Sequence, residues 1–260
     1  MKLETDHPRL KMVACATQGS WFNWSCIIGA PTPFWELITR ISITVYFGWV
    51  GLSIAGKQAR WALNQDFTKL ATVDLVDFTA ETVDAFFYFA IAILIVMRYR
   101  RVAATGGLYP RSVALLGSFL FLSLVPFLPR HELSPAVDLL SIILMFNGTI
   151  LATVVLLYLG RSFSILPEAR RLVVTGPYRF VRHPLYATEL ISMLGLLIQF
   201  ALWPAVIVFL IQCVFQLERM RIEEELLNRT FPEYQMYANN TARIIPKFGR
   251  HHLLESGKPI

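Results

Sequence analysis

The sequence predicts an all-α, polytopic integral membrane protein of about six transmembrane helices, the last two forming a C-terminal helical hairpin. Three observations carry that prediction. The 260 residues are 55% hydrophobic and only 16% charged, with a mean hydropathy of +0.51, where a soluble domain carries roughly 25% charge. Six apolar runs come close to the roughly 20 residues that cross a bilayer. The basic residues between those runs are sorted into alternate loops, as membrane insertion sorts them.

Residues 1–35 form an N-terminal cytosolic or interfacial segment, with Trp21 and Trp24 placed to rest on the interface. They hold no continuous apolar core of a cleavable signal peptide. The first span is 36–56, with Arg40 near its entry, and the second is 78–97, closed by Arg98, Arg100 and Arg101. The third, 112–128, stops at Pro129, and the fourth, 136–160, stops at Gly160 and Arg161. The fifth and sixth, 185–201 and 205–222, are joined by a tight turn at Trp203–Pro204. Six spans put both termini on one side. Only Lys57, Arg60, Lys69 and Arg130 then fall in the opposite loops, so positive-inside sorting places both termini in the cytosol. The same sorting explains the net charge of +6, so no nucleic-acid partner is expected. Cys15, Cys26 and Cys213 are odd in number and lack ligand spacing, so neither a disulfide framework nor a metal site is expected.

Asp74, Asp77, Glu81 and Asp84 share one helical face at the start of the second span. They suit a solvated helix start, or else a polar face toward a cavity or a cationic partner. By the topology they lie far from the cytosolic side. His131 and Glu132 read as turn residues, and Asn147 as an interhelical hydrogen-bond donor.

Two polar blocks flank the hairpin on the cytosolic side: GPYRFVRHPLY at 176–186, and RMRIEEELLNRTFPEYQMYANNTARIIP at 219–246. Pro184 suits the first helical position, with His183 and Arg182 just before it. The free N–H groups there favour an anion. Gly176 and Pro177 break the chain upstream. Tyr178 and Tyr186 add aromatic rings, and the sixth helix, still helical on leaving the membrane, brings Arg219, Glu223 and Glu224 to the same surface. A ligand that joins an anion, a cation, a ribose and an aromatic base would suit this mixture. Singly, each block reads as an interfacial anchor or a solvated helix face; together, at the two near ends of one hairpin, they read as a site.

These residues resemble the isoprenylcysteine carboxyl methyltransferase family, within a wider group of integral-membrane methyltransferases that includes phospholipid methyltransferases. The pattern GPY…RHPxYxG is met by Gly176, Pro177, Tyr178, Arg182, His183, Pro184 and Tyr186. The pattern RIxxEExxLxxxFxxxY…Y…RxxP is met by Arg219, Glu223, Glu224, Leu227, Phe231, Tyr237, Arg243 and Pro246, and Tyr234 falls on a further aromatic position. Thr188, Met220 and Pro232 depart from it, Thr188 standing where the family has glycine. The spans give a four-helix transmembrane region over 36–160, and the resemblance, which covers roughly 160–250, implies a cofactor-binding methyltransferase region over 161–250 before a tail over 251–260. It implies S-adenosylmethionine held at the cytosolic face by Gly176, Pro177, Tyr178, Arg182, His183, Pro184, Tyr186, Glu223, Glu224 and Tyr237. Arg219 would steer an anionic acceptor or the cofactor carboxylate, with Glu223 or Glu224 on the cofactor. The acceptor would be a lipophilic small molecule, a lipid or a prenylated substrate arriving from among the membrane lipids. The competing expectations are an NADPH-dependent enzyme like the sterol reductases, which are usually longer, and a non-catalytic membrane scaffold.

Overall fold

The computed structural model describes residues 34–64, 72–128, 133–200 and 203–246, with the side chains of 34, 35, 72–77 and 126 outside the description. Trp21, Trp24, Cys15, Cys26, His131 and Glu132 therefore lie outside the described residues, as do the side chains of Asp74 and Asp77. The described chain forms seven α-helices: α1 (Phe34–Asn64), α2 (Thr72–Met97), α3 (Leu108–Leu124), α4 (Pro135–Leu159), α5 (Pro184–Gln199), α6 (Trp203–Thr230) and α7 (Tyr234–Asn240).

Three segments are long and apolar enough to cross a bilayer: Glu36–Asn64, Phe78–Met97 and Pro135–Ser162. Leu108–Leu124 and Pro184–Gln199 are shorter apolar helices. The sixth expected span is the first part of the 28-residue α6, whose second part carries charge. Trp203 and Pro204 begin this helix instead of forming a turn, in keeping with proline's fit to a helix start.

Outward faces fit a lipid solvent. On α1, Ile41, Val45, Trp49 and Leu52 are exposed at three- and four-residue spacing, a single helical stripe. On α6 the exposed stripe Ile207, Leu210, Ile211, Val214 and Leu217 continues into exposed Arg221, which pairs with Glu218 at 2.8 Å. Tyr109 at the start of α3 also donates to Glu218, at 2.9 Å. The face of α6 thus changes from apolar to charged between Leu217 and Arg221.

Helices in lipid gain little from burying apolar surface against one another, so close packing and polar contacts must hold them. The α4–α5 contact does so through small residues. A Cβ on Gly148 would lie 2.6 Å from the backbone nitrogen of Ser192, and one on Gly195 would lie 2.7 Å from the Ser141 carbonyl oxygen. Ser141 donates to the Gly195 carbonyl at 2.8 Å. α6 packs instead on α3, where the buried Gln212 donates to the Gly117 carbonyl at 2.5 Å and accepts from the Phe121 amide at 3.2 Å. The two hairpin helices therefore rest chiefly on different neighbours. One core cluster joins α1, α2 and α4 to the 163–185 stretch through Phe47, Ile95, Leu156, Phe163, Ile165 and Tyr178. A second joins α3, α5 and α6 through Phe121, Val125, Met193 and Phe209.

Of the acidic face on α2, Glu81 accepts from Lys57 at 2.6 Å and also from Gln58, both on α1, and Asp84 lies beside Thr149 of α4. These carboxylates face helix neighbours and do not join the site described below. Asn147 donates to the Ile143 carbonyl of its own helix at 2.8 Å. The expected bond to another helix is not made, because this exposed side chain satisfies itself one turn back.

Two short strands add to the helical expectation: β1 (Ala103–Ala104) pairs antiparallel with β2 (Glu168–Ala169). Beneath them Glu36 and Glu168 share Arg98, Arg101 and Arg170, with pair distances such as 3.4 Å from Arg101 to Glu36 and 3.7 Å from Arg170 to Glu36. This lattice ties the start of α1 and the end of α2 to β2.

Candidate functional site

The site is built at the near ends of α5 and α6. Gly176 adopts φ +60°, and a Cβ there would lie 2.4 Å from the Tyr158 ring, so only glycine permits this turn against α4. The 3-10 turn Gly176–Arg179 follows, and His183 then takes the N-cap position of α5 with Pro184 as the first helical residue. The chain after α7 returns alongside: the Arg182 amide donates to the Ala242 carbonyl at 2.8 Å, and the His183 amide to the Arg243 carbonyl at 3.0 Å. Tyr237 donates to the Tyr178 carbonyl at 2.6 Å.

Two adjacent glutamates of α6 take different partners. Glu224 meets His183 Nε2 at 2.9 Å, receives Arg243 through two nitrogens at 3.1 Å each, and lies 3.4 Å from Arg182. Burial pushes its carboxyl up, but the hydrogen bonds from His183 and Arg243 and the charge of Arg182 outweigh that and hold it below its ordinary value. Glu223 Oε1 accepts from Tyr186 at 2.5 Å and from Arg219 at 3.2 Å. Among the described residues nothing donates to its Oε2.

Arg219 is buried, and its nitrogens reach Glu223, Ser118 of α3 at 2.6 Å and the Ile165 carbonyl at 3.0 Å. Its guanidinium lies 4.8 Å from the centre of the Tyr186 ring, which stacks on His183 with centroids 5.4 Å apart.

These groups line a cleft of about 870 Å³ counted with its open mouth. Tyr178, Arg182, His183, Tyr186, Arg219, Glu223 and Tyr237 face it. Gly176, Pro177, Pro184 and Glu224 do not; they shape the turn, start the helix and anchor the surrounding cations. Burial raises the hydroxyl pKa of Tyr178 and Tyr237 well above the ordinary value, so both stay neutral donors. The sequence reading placed nothing from 159–173 in the site, yet Phe163, Ser164, Glu168, Arg170 and Arg171 form one wall. Their only sequence signal is the Arg170–Arg171 pair in an otherwise plain loop. A further carboxylate, Glu189, was also missed: one turn below Tyr186, it accepts from Gln216 at 3.1 Å. Thr188, the departure from the glycine pattern, is buried and donates to the Leu185 carbonyl of its own helix at 2.8 Å, so its hydroxyl is satisfied without entering the cleft.

The stretch that holds this cleft is found in known proteins. Residues 130–234 match the phospholipid methyltransferase family. The phospholipid methyltransferase match runs from before α4 to the start of α7, covering every residue expected at the site except Tyr237. Two curated proteins are similar over part of the chain. The nickel-cobalt-cadmium resistance protein NccN of Alcaligenes xylosoxydans xylosoxydans is 35% identical over 81 residues, which is 31% of this chain and 38% of that protein. The cobalt-zinc-cadmium resistance protein CzcN of Cupriavidus metallidurans is 33% identical over 105 residues, 38% of this chain and 46% of that protein. The matches thus span less than half the length of either relative. Among solved structures, a eukaryotic intramembrane Ras methyltransferase, isoprenylcysteine carboxyl methyltransferase, superposes with a TM-score of 0.43 over 66% of each chain at 22% identity.

Proposed function

We propose that this protein transfers a methyl group from S-adenosylmethionine to a lipophilic acceptor at the membrane surface. The observation that carries the reading is the convergence of both polar blocks on one cleft, inside the stretch that matches the phospholipid methyltransferase family. The cleft suits the cofactor. Among the described residues, Tyr234 Oη and Arg182 Nε are buried there with no hydrogen-bond partner, and buried polar atoms are seldom left so. Glu223 offers a free oxygen for ribose hydroxyls, and Tyr178, Tyr186 and Tyr237 offer rings for a base. Bound in this cleft, the cofactor would supply an electrophilic methyl on a sulfonium.

The chain's own residues then have separate tasks. Tyr178, Arg182, His183, Tyr186 and Tyr237 hold and orient. Glu223 binds, and Arg219, fixed by Ser118 and the Ile165 carbonyl, sets the angle of Glu223. Glu224 keeps His183, Arg182 and Arg243 in place, and Gly176, Pro177 and Pro184 set the backbone. The acceptor enters laterally from the bilayer as a lipid or prenylated substrate. Alignment of the reacting atoms can lower a barrier by about 7–11 kcal/mol. Charge sorting supports six spans, with both termini and the cleft on the cytosolic side.

The test is titration of the purified, detergent-solubilised protein with S-adenosylhomocysteine and with NADPH. Binding of the former, lost in His183→Ala and Glu223→Ala, is expected. Binding of NADPH alone would show a reductase, and binding of neither a scaffold; either result overturns the reading.

A further inference from the structure

The lattice beneath the short strands carries more positive than negative charge. Among the described residues, Arg40, Arg98, Arg101 and Arg170 face one another there across two carboxylates, Glu36 and Glu168. Arg40 follows Glu36 by four residues, on the same face of α1, and donates to the Arg98 carbonyl at 3.4 Å. Arg100 stands beside Arg40 and adds to the same sign. Arg98 directly follows the apolar segment Phe78–Met97, and Glu36 opens the segment Glu36–Asn64. Both helix ends therefore sit at one membrane boundary, where lipid headgroups lie.

Hydrogen bonds do not use up these cations. Arg98 is 4% exposed, and among the described residues its Nε and Nη2 have no hydrogen-bond partner. Its ion pairs are long, 4.0 Å to Glu36 and 3.9 Å to Glu168, beyond the roughly 2.7–3.2 Å of a direct N–H···O bond. Because it reaches toward both carboxylates, its guanidinium points into the middle of the lattice. The Nε atoms of Arg40 and Arg170 are likewise buried without a partner among the described residues. Burial, and next the charge of Arg170, lower the Arg98 guanidinium to about 10, so it is still a cation at neutral pH. Four cations against two carboxylates leave an excess of two positive charges, and buried charges ordinarily find a counter-charge. The lattice meets solvent at Arg101, whose side chain is 31% exposed.

We propose that Arg40, Arg98, Arg101 and Arg170 form a binding site for a phosphate monoester at headgroup level, separate from the cleft. The inference does not depend on methyl transfer. A phosphate monoester carries about −1.5 to −2 charge at neutral pH, which matches the excess, whereas a phosphodiester carries a single charge. Guanidinium groups take phosphate oxygens through paired N–H bonds, and Arg40, Arg98 and Arg170 have donors left for them. Basic pockets between helices at the cytoplasmic boundary hold anionic headgroups in this way. Arg40, Arg98, Arg101 and Glu36 do not line the cleft, whereas Glu168 and Arg170 do, so the two sites are neighbours that share one wall.

The test reconstitutes the full chain in phosphatidylcholine nanodiscs and follows the thermal midpoint, which a ligand of the folded state raises. The probes are dioleoyl phosphatidate, a monoester; dioleoyl phosphatidylglycerol, a diester; and inorganic phosphate. Phosphatidate is expected to raise the midpoint more than phosphatidylglycerol at equal mole fraction. A rise with phosphatidate alone assigns the site to a lipid headgroup, and an equal rise with inorganic phosphate assigns it to a soluble phosphate; both support the site. Arg40→Gln should weaken the apparent affinity about tenfold or more, while its midpoint in phosphatidylcholine alone should not fall, because one repelling cation is gone. Arg98→Lys keeps the charge but loses the planar fork, and it should weaken the response as well. Arg111→Gln, exposed at the start of α3 and outside the lattice, should change nothing. An equal response to both lipids overturns the monoester assignment. No response to any probe, a full response in both Arg40→Gln and Arg98→Lys, or an equal loss in Arg111→Gln overturns the site itself.

Discussion

Gly176 and Thr188 show how single residues set this site's limits. At φ +60° with the Tyr158 ring against it, Gly176 has no room for a side chain. Gly176→Ala should lower stability by about 1–3 kcal/mol and weaken S-adenosylhomocysteine binding, measured by thermal unfolding and titration in detergent. Thr188 stands where the resembling family has glycine, but its hydroxyl is satisfied within α5. Thr188→Gly should cost about 1 kcal/mol of helix stability without changing cofactor affinity; a large gain in affinity would show that the side chain narrows the cleft. Glu224 carries a pH signature. Its folded carboxyl lies below the ordinary 4.5, so the folded state holds its proton less firmly than the unfolded chain does. The stability it confers is fully present above that value and is lost as pH falls through the lower, folded one. Thermal midpoints should fall on this acid limb in the wild type. Glu224→Gln should start lower at neutral pH and decline less.

Among the elements, the α4–α5 contact, tight at Ser192 and Gly195, holds α5 in place. Gly148→Val should force the two backbones apart, costing about 1–3 kcal/mol by overpacking and reducing turnover through displacement of His183 and Tyr186. An unchanged thermal midpoint would contradict the packing. These features differ in how readable they were. The turn at Gly176–Pro177, the helix start at Pro184 and the paired glutamates are local signals, fixed by residues a few positions apart. The wall at 163–171, the return of the chain after α7 that brings Arg243 to Glu224, and the β1–β2 pair depend on tertiary packing that no local spacing encodes. Glu189 was invisible for another reason: one carboxylate in an apolar run has no periodicity, and only Gln216 across the hairpin gives it meaning. Span lengths were only partly legible: α1 stays helical to Asn64, past its expected end at 56, whereas the continuation of α6 beyond its apolar stretch was expected.

The molecule as a whole joins two halves through the buried lattice of Glu36, Arg98, Arg101, Glu168 and Arg170. Three arginines share two carboxylates there, so removing a carboxylate leaves buried cations without a partner, and Glu36→Gln should cost about 3–5 kcal/mol, read as a lower thermal midpoint. The membrane boundary can be located on α6. In a variant lacking native cysteines, Arg221→Cys should react with a water-soluble maleimide and Leu217→Cys should not. Equal labelling of both would move that boundary.

A single unbroken helix, α6, carries Gln216, Arg219, Glu223 and Glu224. Eight residues at 1.5 Å of rise separate the first from the last, about 12 Å. On the proposed methyl-transfer reading the helix is a depth gauge: it would set how far below the water line a lipid-borne nucleophile and a water-borne cofactor meet, and bilayer thickness would become part of the catalyst. Reconstitution in lipids of graded chain length should give one optimum of turnover, with S-adenosylhomocysteine affinity flat across the series, since mismatch shifts the depth of the lipid-borne partner and leaves the aqueous one untouched.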